Sequence, residues 1–222
     1  MLVTSTVEKI LIKNYFSGEW PHPTQIDHCC ISSFSAALRE ARSSTGRSLE
    51  DGVIIDSQKS GNWAGACMYL ILIDHIGEKF KRNGFVSNST GAFILALQNF
   101  TGLSQDEIEI LYQLRNSFLH QFNLYNFPQK KSYKKRHFVV HRGAQLITFP
   151  IQEFDGDLAN ITSNNATMVS LVEIGNLVEE MCSEITTLLN SDQLIVKTEL
   201  DGTIFSLEEY LQANTVCYQK NP

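Results

Sequence analysis

Arg115, Asn116 and His120 stand close together in the stretch Ser104–Phe122, SQDEIEILYQLRNSFLHQF. An arginine keeps its charge at any ordinary pH and presents a planar fork of donors to phosphate or carboxylate oxygens. A histidine, with an ordinary pKa near about 6.5, takes up or returns a proton at neutral pH. An amide between them can orient either one. These residue types together offer anion binding and proton transfer at one place. The stretch reads as one amphipathic helix. Ser104 with Glu107 is a capping-box start, S-x-x-E, just before an apolar run. At about 100° per residue, Ile108, Leu111, Tyr112, Phe118, Leu119 and Phe122 gather on one side, and Arg115 falls in the middle of that arc. Asn116 and His120 are four apart and stack at its edge. A guanidinium centred on an apolar stripe is costly without an anionic partner. That face must meet an anion or a second copy of itself, or else Arg115 is structural and pairs with helix-end carbonyls or a core acid such as Asp74.

Other constellations carry less. R-x-x-x-x-H occurs again at Arg136–His141, but those residues are β-branched and aromatic. On a strand, positions five apart point to opposite faces. Asp27-His28-Cys29-Cys30 holds metal-ligand types, yet neighbours on a helix diverge by about 100°, so no metal is expected there. No P-loop, G-x-G-x-x-G, G-x-S-x-G or H-E-x-x-H is present, and no cofactor is expected.

The elements that must position these residues follow from periodicity. Val7–Phe16 is a short helix, ended by Gly18 and Pro21-His22-Pro23. Thr24–Arg42 is helix-like through Ile26, Cys30, Phe34, Ala37 and Leu38. Residues 43–61 are a polar loop around Val53-Ile54-Ile55. Asn62–Arg82 is the most hydrophobic helix, apolar nearly all round until Asp74, as suits the middle of a bundle. Gly91–Thr101 is another short helix. Arg136–His141 and Gln145–Phe149 flank Arg142-Gly143-Ala144 as a hairpin. Ala166–Leu189 is a long helix. Leu194–Val196 and Thr203–Phe205 flank Asp201-Gly202 as a second hairpin. Ser206 with Glu209 opens a last helix to about Ala213.

The 222 residues are 43% hydrophobic, enough for a real core. The formal charge of −6 places any nucleic-acid role in a local patch. Five scattered cysteines, odd in number and without C-x-x-C, point away from a disulfide framework and toward a reducing cytosol. The first apolar stretch carries Glu8, Lys9 and Lys13, unlike a signal peptide. The longest apolar run, Ala64–Ile73, is too short to span a bilayer. The expected fold is mainly α, a helical bundle with one or two small β-hairpin insertions. It is read as a single domain over 1–222, with an N-terminal helical extension (1–61) and a C-terminal hairpin and helix (190–222).

LYQLRNSFLHQF resembles the signature helix of the HEPN superfamily, which carries R-x(4-6)-H, commonly with a polar residue after the arginine. The order of a very hydrophobic helix, a short helix, the signature helix and a long helix also fits, over roughly Asn62–Leu189. Many members are metal-independent endoribonucleases, often toxins or antiviral effectors, whose two-fold dimers bring two signature helices to one composite site. The resemblance implies Arg115 and His120 as the catalytic pair and Asn116 as the orienting residue. It implies an RNA substrate, a homodimer, a regulatory partner such as an antitoxin, and a cytoplasmic setting. On an α-helix Arg115 and His120 lie about 140° apart, which favours pairing across a dimer. Where some members carry H-x-Tyr for regulatory nucleotidylation, this chain has Phe122. Other members are non-catalytic and bind a partner protein, RNA or a nucleotide. A third reading is a helical interaction domain. The basic segment from Lys130 to Arg142 holds six of the eighteen Lys and Arg. Lys130, Lys131, Lys134, Lys135 and Arg136 are expected either to track RNA phosphates beside the site or to guard a solvated hairpin edge.

Overall fold

The apolar stretch after Asn62 forms the central helix in a computed structural model that describes residues 1–21, 28–121, 123–128, 133–200 and 203–219. In chain order the helices are α1 (Thr6–Ser17), α2 (Ser33–Ser44), α3 (Trp63–Lys79), α4 (Ala92–Phe100), α5 (Gln105–Asn116), α6 (Leu171–Asn190) and α7 (Leu207–Ala213). The strands are β1 (Glu19–Pro21), β2 (His28–Ser32), β3 (Phe80–Arg82), β4 (Tyr125–Asn126), β5 (Arg136–His141), β6 (Ile147–Thr148), β7 (Ala166–Ser170), β8 (Leu194–Val196), β9 (Glu199–Leu200), β10 (Thr203–Ile204) and β11 (Thr215–Gln219).

Helix α3 begins where Asn62 accepts a hydrogen bond from the Gly65 N–H, as an N-cap should. It packs against α2, α4 and α6. Tyr69, Leu70, Leu72, Ile73 and Ile76 are fully buried, each aliphatic side chain worth about 1.5–3 kcal/mol in area removed from water. Gly77 lets α4 come close, because a Cβ there would stand 1.8 Å from the Ala92 carbonyl oxygen. The same core takes in Val3, Ile12 and Phe34 from the first segment and Leu194, Val196, Leu207 and Leu211 from the last. Among the described residues no helix is long and apolar enough to cross a membrane.

The expected mainly-α bundle is corrected to an α/β mix, with 48% helix of all types and 18% strand among the described residues. Strands β4-β5-β7-β6 form a mixed four-stranded sheet, and β1-β2-β11 form a three-stranded one. The first expected hairpin does not form. Strand β5 pairs in parallel with β7, His137 opposite Ala166 through His141 opposite Ser170. Strand β6 lies on the far side of β7, antiparallel to it. Residues 166–170 therefore leave the expected long helix and become β7. They form an inner strand buried on both faces, and such a run lacks the polar alternation that marks a half-buried strand. Helix α6 starts only after Ser170, whose hydroxyl accepts the Glu173 N–H.

Two further expectations change. Residues 28–32 leave the expected helix and become β2, the middle strand between β1 and β11. Helix α2 then starts behind Ser32, which accepts the Ser35 N–H at 2.8 Å. Residues 194–196 pair with β3, not with 203–205. The second hairpin is instead β9 with β10, and its Asp201-Gly202 turn lies outside the described residues, as does the expected stop at His22-Pro23. A disulfide joins Cys30 to its cross-strand neighbour Cys217, against the expectation of none.

Candidate functional site

Helix α5 opens with the full capping box. The Glu107 N–H donates to Ser104 Oγ at 3.3 Å, and the Ser104 N–H donates to Glu107 Oε2 at 2.8 Å. Its buried face is wider than the expected arc, since Ile110, Gln113 and Leu114 are buried along with Ile108 and Leu111. Tyr112 and Arg115 fall at the margin. Arg115 is therefore not at the centre of the buried stripe, and its side chain is 22% exposed.

Asp74 of α3 meets it. Arg115 Nε and Nη2 both donate to Asp74 Oδ2, at 2.9 and 2.7 Å, and Nη1 donates to Asn116 Oδ1 at 3.0 Å. These charge-assisted bonds fix the plane of the guanidinium. Its place in the last turn of α5 also sets the cation where helix carbonyls favour it. The structure thus brings Arg115, Asn116 and Asp74 together.

Past Asn116 the helix changes to a π-turn over Ser117–Gln121. Ser117 Oγ donates to the Tyr125 carbonyl at 3.1 Å, and Phe118 stacks on Trp63 with ring centroids 4.0 Å apart. These contacts tie the turn to β4 and to the start of α3. His120 lies on this turn; its side chain and Phe122 fall outside the described residues. A π-turn holds more residues per turn than an α-helix. It brings the backbone positions of Arg115 and His120 nearer in angle than the roughly 140° of an ideal α-helix.

The basic strip is placed elsewhere. Lys130 and Lys131 lie outside the described residues. Lys134 pairs with Glu153, and Lys135 Nζ donates to the Asp155 carbonyl at 2.8 Å. Arg136 is only 6% exposed and places Nη2 3.5 Å from Glu109 Oε1. Burial holds its pKa below the ordinary guanidinium value, with Glu109 opposing that. On α5 the residues facing this strip are Glu109 and Gln113, whose Nε2 donates to the Lys134 carbonyl. By helix geometry they lie about 120° and 160° round from Arg115. Within one chain, the described part of the strip and Arg115 sit on different sides of α5.

A second buried ionic cluster escaped the sequence reading. Arg42 Nε and Nη2 meet the two Glu179 oxygens at 2.9 and 2.6 Å, and the Tyr69 hydroxyl donates to Glu179 Oε1 at 3.0 Å. Arg47 donates to the Gly52 carbonyl and to Asn176 Oδ1. This cluster ties the polar loop 46–61 to α6. The available signal was two arginines near a polar loop, and nothing in their spacing names Glu179. Among the described residues no three His, Cys, Asp or Glu side chains converge to hold a metal ion. Comparison with protein-family models, curated proteins and solved structures returns no match to this chain.

Proposed function

We propose that the chain is a metal-independent endoribonuclease of HEPN type, acting on RNA in a toxin or antiviral defence role. The observation that carries this reading is Arg115. It keeps about a fifth of its side chain in solvent, beside Asn116 and at the start of the turn that carries His120. RNA supplies its own nucleophile, the 2′-OH. His120 takes the proton of that hydroxyl as its oxygen attacks the adjacent phosphorus. Arg115 meets the non-bridging oxygens, where charge builds in the transition state. The bond from phosphorus to the 5′-oxygen breaks as that oxygen takes a proton from water, giving a 2′,3′-cyclic phosphate and a 5′-hydroxyl, and His120 gives the proton it took back to solvent. A homodimer sets Arg115 of one protomer beside His120 of the other, and an antitoxin-like partner restrains it. The setting is cytoplasmic, and the Cys30–Cys217 disulfide is the feature that stands against that part of the reading.

One observation favours the rival, a non-catalytic HEPN module that binds a partner protein, RNA or a nucleotide. Asp74 takes two donors of Arg115 and offsets the charge that would draw a phosphate. Wild type, Arg115→Ala and His120→Ala incubated with a mixed RNA pool in EDTA separate the two readings. The RNase reading expects cleavage by wild type alone, with each variant slower by about a hundredfold or more. No cleavage by any of the three, all equally folded, overturns it. Mass in solution is a second check, because a strict monomer removes the composite site.

A further inference from the structure

On the side of α5 away from Arg115, a cleft of about 510 Å³ opens between that helix, β5 and the segment 149–154. Its size is that of ordinary small-ligand sites. Arg136, Lys134 and Asn165 supply its polar wall, and Phe149, Ile151 and Phe154 its apolar one. Phe149 is 48% exposed and Ile151 more so, although both are large and apolar. The Nε of Arg47 is buried without a hydrogen-bond partner, but the other nitrogens of Arg47 donate to carbonyls and to Asn176. The guanidinium of Arg136 stands out. It is among the most buried cations of the described residues, its single ionic contact is the 3.5 Å approach to Glu109, and its Nε is buried without a hydrogen-bond partner. Buried polar donors are otherwise almost always paired, and an exception calls for a missing acceptor.

The balance of charge narrows what that acceptor is. Three basic and three acidic side chains line the cleft. Lys134 is already paired with Glu153. The cleft therefore has no net field to draw a polyanion such as an RNA backbone. It offers one under-satisfied guanidinium, suited to a single planar or tetrahedral oxyanion, beside an apolar wall. We infer that this cleft binds a small organic anion, a carboxylate or phosphate group carried on an aromatic or apolar body, with Arg136 receiving the anion and Phe149 and Ile151 covering the body. This inference does not depend on the RNA-cleaving reading, because the cleft and Arg115 lie on different sides of α5.

Calorimetric titration of the whole chain with benzoate, phenyl phosphate, inorganic phosphate and neutral benzyl alcohol tests it. Saturable binding of benzoate or phenyl phosphate is expected, tighter than for benzyl alcohol, and whichever of the two binds better identifies the anionic group. Arg136→Gln should weaken that binding by about tenfold or more. Phe149→Ala, at an exposed position, should weaken the aromatic anions and leave inorganic phosphate unchanged. Wild type that binds neither aromatic anion better than benzyl alcohol overturns the inference and leaves a water as the partner of Arg136. So does a folded Arg136→Gln that binds as wild type does. If Arg136→Gln fails to fold, Phe149→Ala decides: unchanged binding of the aromatic anions is then the overturning result. None of these readouts involves RNA, so this inference and the RNase reading fail separately.

Discussion

Arg115 and Arg136 show how much a partner's distance matters to a buried cation. Arg115 has a carboxylate oxygen at 2.7 and 2.9 Å and keeps about a fifth of its side chain in solvent. Arg136 is more deeply buried and has its carboxylate at 3.5 Å. The first is an oriented pair and the second an under-satisfied charge, although both occur in the same R-x-x-x-x-H pattern. The neighbour of Arg136, His137, is 8% exposed and stacked on Tyr125 at 5.3 Å between ring centroids. Burial holds its pKa below the ordinary 6.5, partly offset by Asn165. Above 6.5 the imidazole is neutral in both folded and unfolded chains, and it makes no difference to stability. As pH falls below 6.5 the unfolded chain takes up the proton and the folded chain does not, so stability is lost down to the depressed folded value. Urea midpoints between pH about 7.5 and about 5 should fall in wild type, by at most about 1.4 kcal/mol per pH unit from this group. His137→Gln should flatten that slope. An unchanged slope would place the acid sensitivity elsewhere.

At the scale of elements, helices with a side-chain cap were the most legible. Ser104 with Glu107 marked α5, and Ser206 with Glu209 marked α7; both boxes form. The same signature at Ser170 with Glu173 would have placed the start of α6 correctly. The expectation ran five residues too early because residues 166–170 are buried on both faces and show no clear polar alternation. Strands were the least legible, because several of the described pairings, β5 with β7, β3 with β8 and β2 with β11, join segments far apart in sequence. The candidate site divides in the same way. Arg115, Asn116 and the Asp74 pairing were readable from one helix and one acid, whereas the burial of Arg136 depends on β7 and on the far side of α5. The loop 46–61 is a third case, held through Arg42 and Glu179. Gly52 sits at φ +73°, and a Cβ there would stand 2.4 Å from the Glu179 carboxylate. Glu179→Ala strands the Arg42 cation, whose side chain is 10% exposed, and should cost about 3–5 kcal/mol. Amide exchange should rise first in the segment from Gly46 to Ile55. Slow exchange there in the variant would mean that the backbone contacts of the loop suffice.

For the whole molecule, the parts joined last in sequence lie against the first. Val3 N–H donates to the Leu194 carbonyl, Val196 N–H to the Met1 carbonyl, and β2 pairs with β11. The Cys30–Cys217 bridge spans 187 residues, and in the chain-entropy picture closing so long a loop is worth up to about 5 kcal/mol. Thiol titration of unreduced, denatured protein should count three free cysteines, Cys29, Cys67 and Cys182, and five after reduction. Five in both would refute the bridge and favour the cytosolic setting. The pairing of β2 with β11 also bears on how the chain is made. A ribosome adding about 5–20 residues per second delivers β11 roughly ten to forty seconds after β2. Throughout that interval β2 lacks one neighbour, and an unpaired strand edge is open to other chains. Substitutions in β2 should therefore be felt first as lost yield during synthesis, before any change in the melting of the protein that survives it.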